Sequence, residues 1–129
     1  MNQYMLLLRS EKIDFGSYSQ EDFSSLLADF DAWNARLEVN GLLASAGLSG
    51  AGARTARSGE NGVTIDGPFC ETKEAITGIC IINSVDADDA LELASVCPFV
   101  KRGGSVEVRA ISQLEINSLF KEVSGDAKC

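Results

Sequence analysis

The chain predicts an α+β domain of βαββαβ order, with an inserted β-hairpin and an added C-terminal helix. Three observations carry that prediction. Two short runs, Tyr4 to Leu8 and Ile76 to Asn83, are apolar without alternation, as in strands covered on both faces. Two stretches repeat apolar residues at helical spacing, each just after a capping residue. A further run, Ser105 to Ile111, does alternate, with Val106, Val108 and Ala110 facing one way and Glu107 and Arg109 the other.

Taken in order, Tyr4 to Leu8 is the first strand. After a polar loop, Ser19 with Asp22 forms a capping-box-like helix start. Phe23, Leu26, Leu27, Phe30, Trp33 and Leu37 follow as one stripe to be buried, and Gly41 stops the helix. Apolar residues at this period are read as core rather than as a ligand box. Leu42 to Leu48 is the second strand. From Ser45 to Gly62 the chain is rich in Gly, Ala and Ser, with Arg54 and Arg57 set inside it. Asn61-Gly62 signals a hairpin turn pairing roughly 54–58 with 63–66, an arm rather than a linker.

Ile76 to Asn83 is the next strand. Asp86 then caps a short helix with an acidic first turn, favourable against its dipole, and Ala87, Ala90, Leu91 and Ala94 form its expected inner stripe. Pro98 ends that helix, and Gly103-Gly104 turns the chain into the last strand. Residues 1–112 make up the domain. Residues 113–129 are a helical extension and tail, in which Ser112 with Glu115 caps an amphipathic repeat of Ile116, Leu119, Phe120 and Val123.

In this order the first and third strands of the main sheet are central, and the two uninterrupted apolar runs fall on them. Two helices cover only one face of such a sheet. The other face, alternate residues of 5–8 and 79–82, would be wet in a monomer, forgoing roughly 1.5–3 kcal/mol per aliphatic side chain. Such faces mark interfaces, so a homodimer sharing one cavity is expected; the other reading is that the C-terminal helix covers that face alone.

Composition narrows the function. The 129 residues suffice for one domain with a core, and 45% are hydrophobic. The formal charge of −8 repels phosphate backbones, so direct nucleic-acid binding is not expected. The chain has no histidine, so any acid–base chemistry rests on carboxylates, lysine, tyrosine or cysteine. Cysteines 70, 80, 97 and 129 lack Cys-x-x-Cys spacing, so no metal site is expected. No secretory leader or membrane span is legible, which points to a cytoplasmic protein with reduced thiols.

The densest chemistry lies in Asp66-Gly67-Pro68-Phe69-Cys70-Glu71-Thr72-Lys73-Glu74. Gly67-Pro68 reads as a turn. An aspartate there usually bonds the N–H two residues on, but Pro68 has none. Asp66 therefore looks to the amide of Phe69 or Cys70, to Lys73, or to a ligand.

This stretch resembles the D-G-P-F-A-E-T-K-E signature of the DGPF family, within the YCII-related group, with only Cys70 departing, where alanine is usual. The likeness extends to Tyr4–Leu7, to Asp88–Ala94, to Cys97-Pro98 and to Gly104–Arg109. The resemblance implies a ferredoxin-like α+β domain that pairs into a dimeric α+β barrel, and it implies no particular reaction. The wider group is thought to use a histidine–aspartate pair, which this chain cannot supply.

The residues favour a small-molecule-binding protein, in its catalytic form a cofactor-free enzyme working by carboxylate acid–base chemistry in the shared cavity. Asp66 and Glu71 are the candidate acid and base; Lys73, Arg109 and Arg57 are the candidate ligand-binding residues for a small anionic organic molecule. Solvated charge is the plain meaning of the arginines, and a surface ion pair that of Glu71 with Lys73. Glu71 opposes a thiolate at Cys70, which reads as a small filler. The alternative is a non-catalytic regulatory or protein-interaction module linked to transcription initiation. The resemblance suggests a sigma-factor partner for it.

Overall fold

The computed structural model describes residues 2–48, 53–69 and 76–112, with the backbone alone at 53 and 67–69. The amphipathic extension expected over 113–129 lies outside the described residues.

Strand β1 (Asn2–Arg9) opens the chain. A polar loop follows, in which the Asp14 carboxylate accepts the Gly16 N–H at 3.1 Å and closes a 3₁₀ turn at Phe15–Ser17. Helix α1 (Gln20–Asn40) starts where the sequence places it. The Ser19 hydroxyl accepts the Asp22 N–H at 3.1 Å, and the Asp22 carboxylate accepts the Ser19 N–H at 2.8 Å, a reciprocal capping box. It stops at Gly41, whose φ of +114° suits glycine and lets its N–H reach the Leu37 carbonyl at 2.9 Å.

Strand β2 (Leu42–Gly47), strands β3 (Ala53–Gly59) and β4 (Gly62–Phe69), strand β5 (Ile76–Ser84), helix α2 (Ala87–Ser95) and strand β6 (Ser105–Ala110) complete the order. The main sheet runs β2-β5-β1-β6, every neighbouring pair antiparallel. The two uninterrupted apolar runs are therefore the central strands, the strand order that a ferredoxin-like plan requires.

Register assigns every side chain of the sheet to a face. Leu6 stands opposite Cys80 and Val108, and Tyr4 opposite Ile82. These residues, with Leu8, gather Trp33 and Leu37 from α1 and Ala90, Leu93 and Ala94 from α2 into one core. Leu6, Leu37 and Ile82 are fully buried there, each contributing roughly 1.5–3 kcal/mol. The Trp33 indole N–H donates to the Leu93 carbonyl at 2.9 Å and ties the two helices together.

Three expectations are corrected. The α1 stripe is narrower than its periodicity suggests: Leu26, Trp33 and Leu37 are buried, while Leu27 is 67% exposed and Phe23 packs with Phe15 and Tyr18 at the surface. In α2 the inner residues are Ala90, Leu93 and Ala94, and both Ala87 and Leu91 are exposed. The i, i+3, i+4 and i+7 positions from Ala90 are Leu93, Ala94 and Cys97, whereas Leu91 is rotated about 100° away.

The third correction concerns Asp66–Phe69. It is not a turn but the end of β4, paired with β3 in a separate two-stranded sheet. Ala53 pairs with Phe69 and Thr55 with Asp66, so β4 carries one residue more than β3 across Gly67-Pro68. A proline without an N–H is tolerated in a ladder at such an irregularity. The hairpin loop is Glu60-Asn61, closed by Gly62 at φ +114°, one position earlier than the Asn-Gly signal suggests.

Candidate functional site

Asp66 and Arg57 meet across the hairpin. Arg57 pairs in register with Thr64, which places Asp66 two residues further along β4 on the same face. The Arg57 Nε–H donates to Asp66 Oδ2 as an ion pair. Both side chains are solvated, at 60% and 36% exposure. Glu71 and Lys73 lie outside the described residues. Arg109 is not joined to the Arg57–Asp66 pair by any ion pair or hydrogen bond among the described residues.

Arg109 belongs to a different constellation, on the face of the main sheet away from the helices. Counting by two from Met5 and Leu7 places Arg9 on that face, and β6 sets Ser105, Glu107 and Arg109 beside them. Met5 stands opposite Arg109 and Leu7 opposite Glu107; on the other flank, Ile81 and Ile79 pair with Met5 and Leu7. The centre of this face is thus aliphatic, and one end is ionic. None of these four aliphatic residues joins the core cluster formed with the helices.

The ionic end is a row. Glu107 accepts from Arg9 Nη1 through Oε1 at 3.0 Å and lies 3.6 Å from Arg109 Nη1 through Oε2. Arg9 is the more enclosed guanidinium and Arg109 the more exposed, at 69%. A guanidinium carries five N–H donors, so the loosely held Arg109 can take up a further acceptor. Two cations and one anion make this row locally positive in a chain of net charge −8. A hollow of about 570 Å³ opens beside it, lined by Arg9, Glu11, Lys12, Gly103–Ser105 and Glu107.

Arg9 was not among the candidates read from the sequence. Its signal is the period-2 step from Leu7, obscured because Arg9 ends an otherwise apolar run. Glu107 and Arg109 do share a face, as their alternation predicts.

The described thiols are inert. Burial pushes Cys80 from its ordinary value of 9.0 to about 11, with Cys97 adding to the rise, and burial also raises Cys97. Both are free cysteines kept as neutral thiols, a poor state for nucleophilic attack. Among the described residues no cluster of three or more Cys, Asp or Glu is placed to hold a metal ion. No described helix is long and apolar enough to cross a membrane.

A family model described as "YCII-related domain" matches residues 3–115. The chain belongs to the YCII-related domain family. The match takes in every strand and both helices described here. Among solved structures the chain is similar to the 5-chloro-2-hydroxyhydroquinone dehydrochlorinase of Burkholderia phenoliruptrix AC1100, solved in complex with 2,5-dihydroxybenzoquinone. That similarity has 17% identity and a TM-score of 0.47, over 86% of this chain and 95% of the other. No curated protein matches.

Proposed function

We propose that this YCII-related protein is a homodimer, paired through the helix-free faces of its main sheets, that binds a small organic anion in the cavity between them. The observation that carries the reading is the division of the sheet. Both helices bury their apolar residues against Tyr4, Leu6, Leu8, Cys80 and Ile82, while Met5, Leu7, Ile79 and Ile81 form a second aliphatic surface outside that core. Leu7 is already buried within the single chain, and Met5, Ile79 and Ile81 are half-buried. A second copy laid on this surface would make a dimeric α+β barrel and remove what these three still expose.

The same face supplies ligand chemistry. Its aliphatic centre accommodates the body of a small molecule, and Arg109, backed by Glu107 and Arg9, offers charged donors to a carboxylate or similar group. Acid–base work falls to Asp66 and Glu71, with Arg57 and Lys73 orienting the anion. The existing ion pair between Arg57 and Asp66 supports a charged rim on the hairpin. In catalytic form this is a cofactor-free enzyme.

Sedimentation tests the assembly. Wild type is expected to run at twice the chain mass of 13.7 kDa at micromolar concentration, and Ile81→Glu at the single mass with its circular dichroism intact. A wild type at the single mass removes the dimer. Thermal shift with a panel of small carboxylates tests the ligand: a stabilising one raises the melting temperature, and Arg109→Ala is expected to abolish that rise.

A further inference from the structure

On the opposite side of the main sheet, under α1, lies a second cavity of about 340 Å³. Its floor is Leu8, Thr77, Gly78, Ile79 and Cys80 of the central strands, and its outer wall is Ser45, Ala46 and Gly47 of the edge strand β2. Phe30, Trp33 and Asn34 of α1 close it above, with Phe99 at one end. The sequence explains the space. The helix-facing residues of β2 beyond Leu42 are Ser45 and Gly47, opposite Cys80 and Gly78, so nothing large rises from the strands to meet the helix. A β-carbon added at Gly47 would touch nothing within 4 Å.

The lining is selective. No charged residue is among the described residues that form it, although 23% of the chain is charged. Three aromatic rings stand in its wall: Phe30 meets Phe99 edge-on at 4.8 Å between centroids and Trp33 at 6.0 Å. Asn34 and Ser45 supply a few polar side-chain atoms; the Thr77 hydroxyl is engaged elsewhere, donating to the Leu8 carbonyl and accepting from Ser10. The β2 wall, Ser45 to Gly47, is exposed, so the hollow is open on that side, and an ion there finds no counter-charge among the described residues. A neutral ring gains aromatic edge and face contacts. An apolar cavity of about 150 Å³ already holds benzene, so this one has room for a single substituted ring, and small-molecule pockets begin at about 300 Å³.

We infer that the cavity between α1, β2 and β5 is a binding site for an uncharged, single-ring aromatic molecule bearing one hydrogen-bonding substituent. It lies on the face opposite the proposed dimer contact and needs no second copy of the chain.

Trp33 lines the site and is the chain's only tryptophan; it also borders a smaller hollow with Asp29, Arg36 and Lys101, so a change in its fluorescence is assigned to this site by a variant at Gly47. The probes are para-nitrobenzyl alcohol, a neutral quencher, and para-nitrobenzoate, the same ring carrying a carboxylate. The alcohol is expected to quench Trp33 saturably and the benzoate only linearly, as random collision would. Gly47→Val, which fills the space from a strand, is expected to raise the half-saturating alcohol concentration at least tenfold with circular dichroism unchanged. Should that variant misfold, Ser45→Leu closes the same wall from two residues back along β2. Linear quenching by both probes, saturation by the benzoate at equal concentration, or saturation unaltered in a folded variant would each overturn the inference. Measured again in Ile81→Glu, the saturable quenching persists, so failure of the dimer leaves this site standing and the reverse holds too.

Discussion

The two faces of the main sheet are built from the same four strands, yet among the described residues only one packs its side chains into a core with the helices. Residues one apart have opposite fates. Ile82 has no solvent exposure and packs among Tyr4, Leu6 and both helices. Ile81 points the other way, half-buried, beside Met5 and away from that core. Composition does not separate them, since both faces are aliphatic at their centres. What differs is the edge. The helix face is bordered by aromatic rings and caps, whereas the other ends in Arg9, Glu107 and Arg109. On the proposed reading, the aliphatic centre of that face meets a second copy of the chain and its charged border meets the ligand.

The largest expected effect sharpens that contrast. Ile82→Ala should cost about 2–5 kcal/mol, because the core around a fully buried residue collapses only in part. The loss should be independent of protein concentration in urea titrations once the difference between dimer and monomer is allowed for. Ile81→Ala should cost under about 1 kcal/mol in dilute samples, where the chain is single, and more where it is paired. Equal costs for the two at every concentration would break the comparison, because they would make both faces interior to one chain.

Next in size is a pH effect confined to the helix face. Cys80 has its thiol raised to about 11 by burial, so the fold favours the neutral form. The sign follows from linkage. Below the unfolded value near 9.0 both states hold the proton and stability is complete. As the pH climbs towards 11 the unfolded chain ionises first and stability falls, on the order of 2 kcal/mol at 1.36 kcal/mol per pH unit. Lysine and tyrosine also titrate there, so the measure is the difference between wild type and Cys80→Ala in urea unfolding at pH 8 and pH 11. The variant should lose less on going alkaline. An identical loss would mean that Cys80 has water around it and that the helix face is less dry than its packing implies.

How much of this could be read beforehand depends on whether a residue's fate is decided locally. The Ser19–Asp22 capping box, the stop at Gly41, and the two central strands were legible, because caps, positive φ and unbroken apolar runs are properties of a few neighbouring residues. Leu27 and Leu91 were not, because periodicity defines a stripe and only packing defines its width. Gly67-Pro68 misled for another reason: a local turn signal was overridden by the pairing of Asp66 with Thr55 and of Phe69 with Ala53, eleven and sixteen residues away. The pairing of β3 with β4 was legible from the turn residues, but the Arg57–Asp66 ion pair was not: the partners read for Asp66 were the amide of Phe69 or Cys70, Lys73 or a ligand. Arg9 was missed because its partner Glu107 is distant in sequence and only the β1–β6 register joins them.

The smallest expected effect concerns the hairpin, which stands against the sheet as a region with little buried. Among its described side chains from 54 to 65 all are exposed, and Asp66 is the first to be half-buried. An ion pair in that setting is worth under about 1 kcal/mol, since water and salt screen it. A double-mutant cycle of Arg57→Ala and Asp66→Asn in thermal unfolding should therefore give a coupling below that value, fading as salt is raised. On the proposed reading the pair acts on a ligand and does not hold the fold. Asp66→Asn should leave stability within that margin and weaken the thermal shift from any carboxylate that stabilises wild type. A coupling above about 2 kcal/mol would mean the hairpin is braced by this pair. Unchanged ligand binding in Asp66→Asn would instead strike Asp66 from the site and leave the Arg9–Glu107–Arg109 row as the charged group that meets the anion.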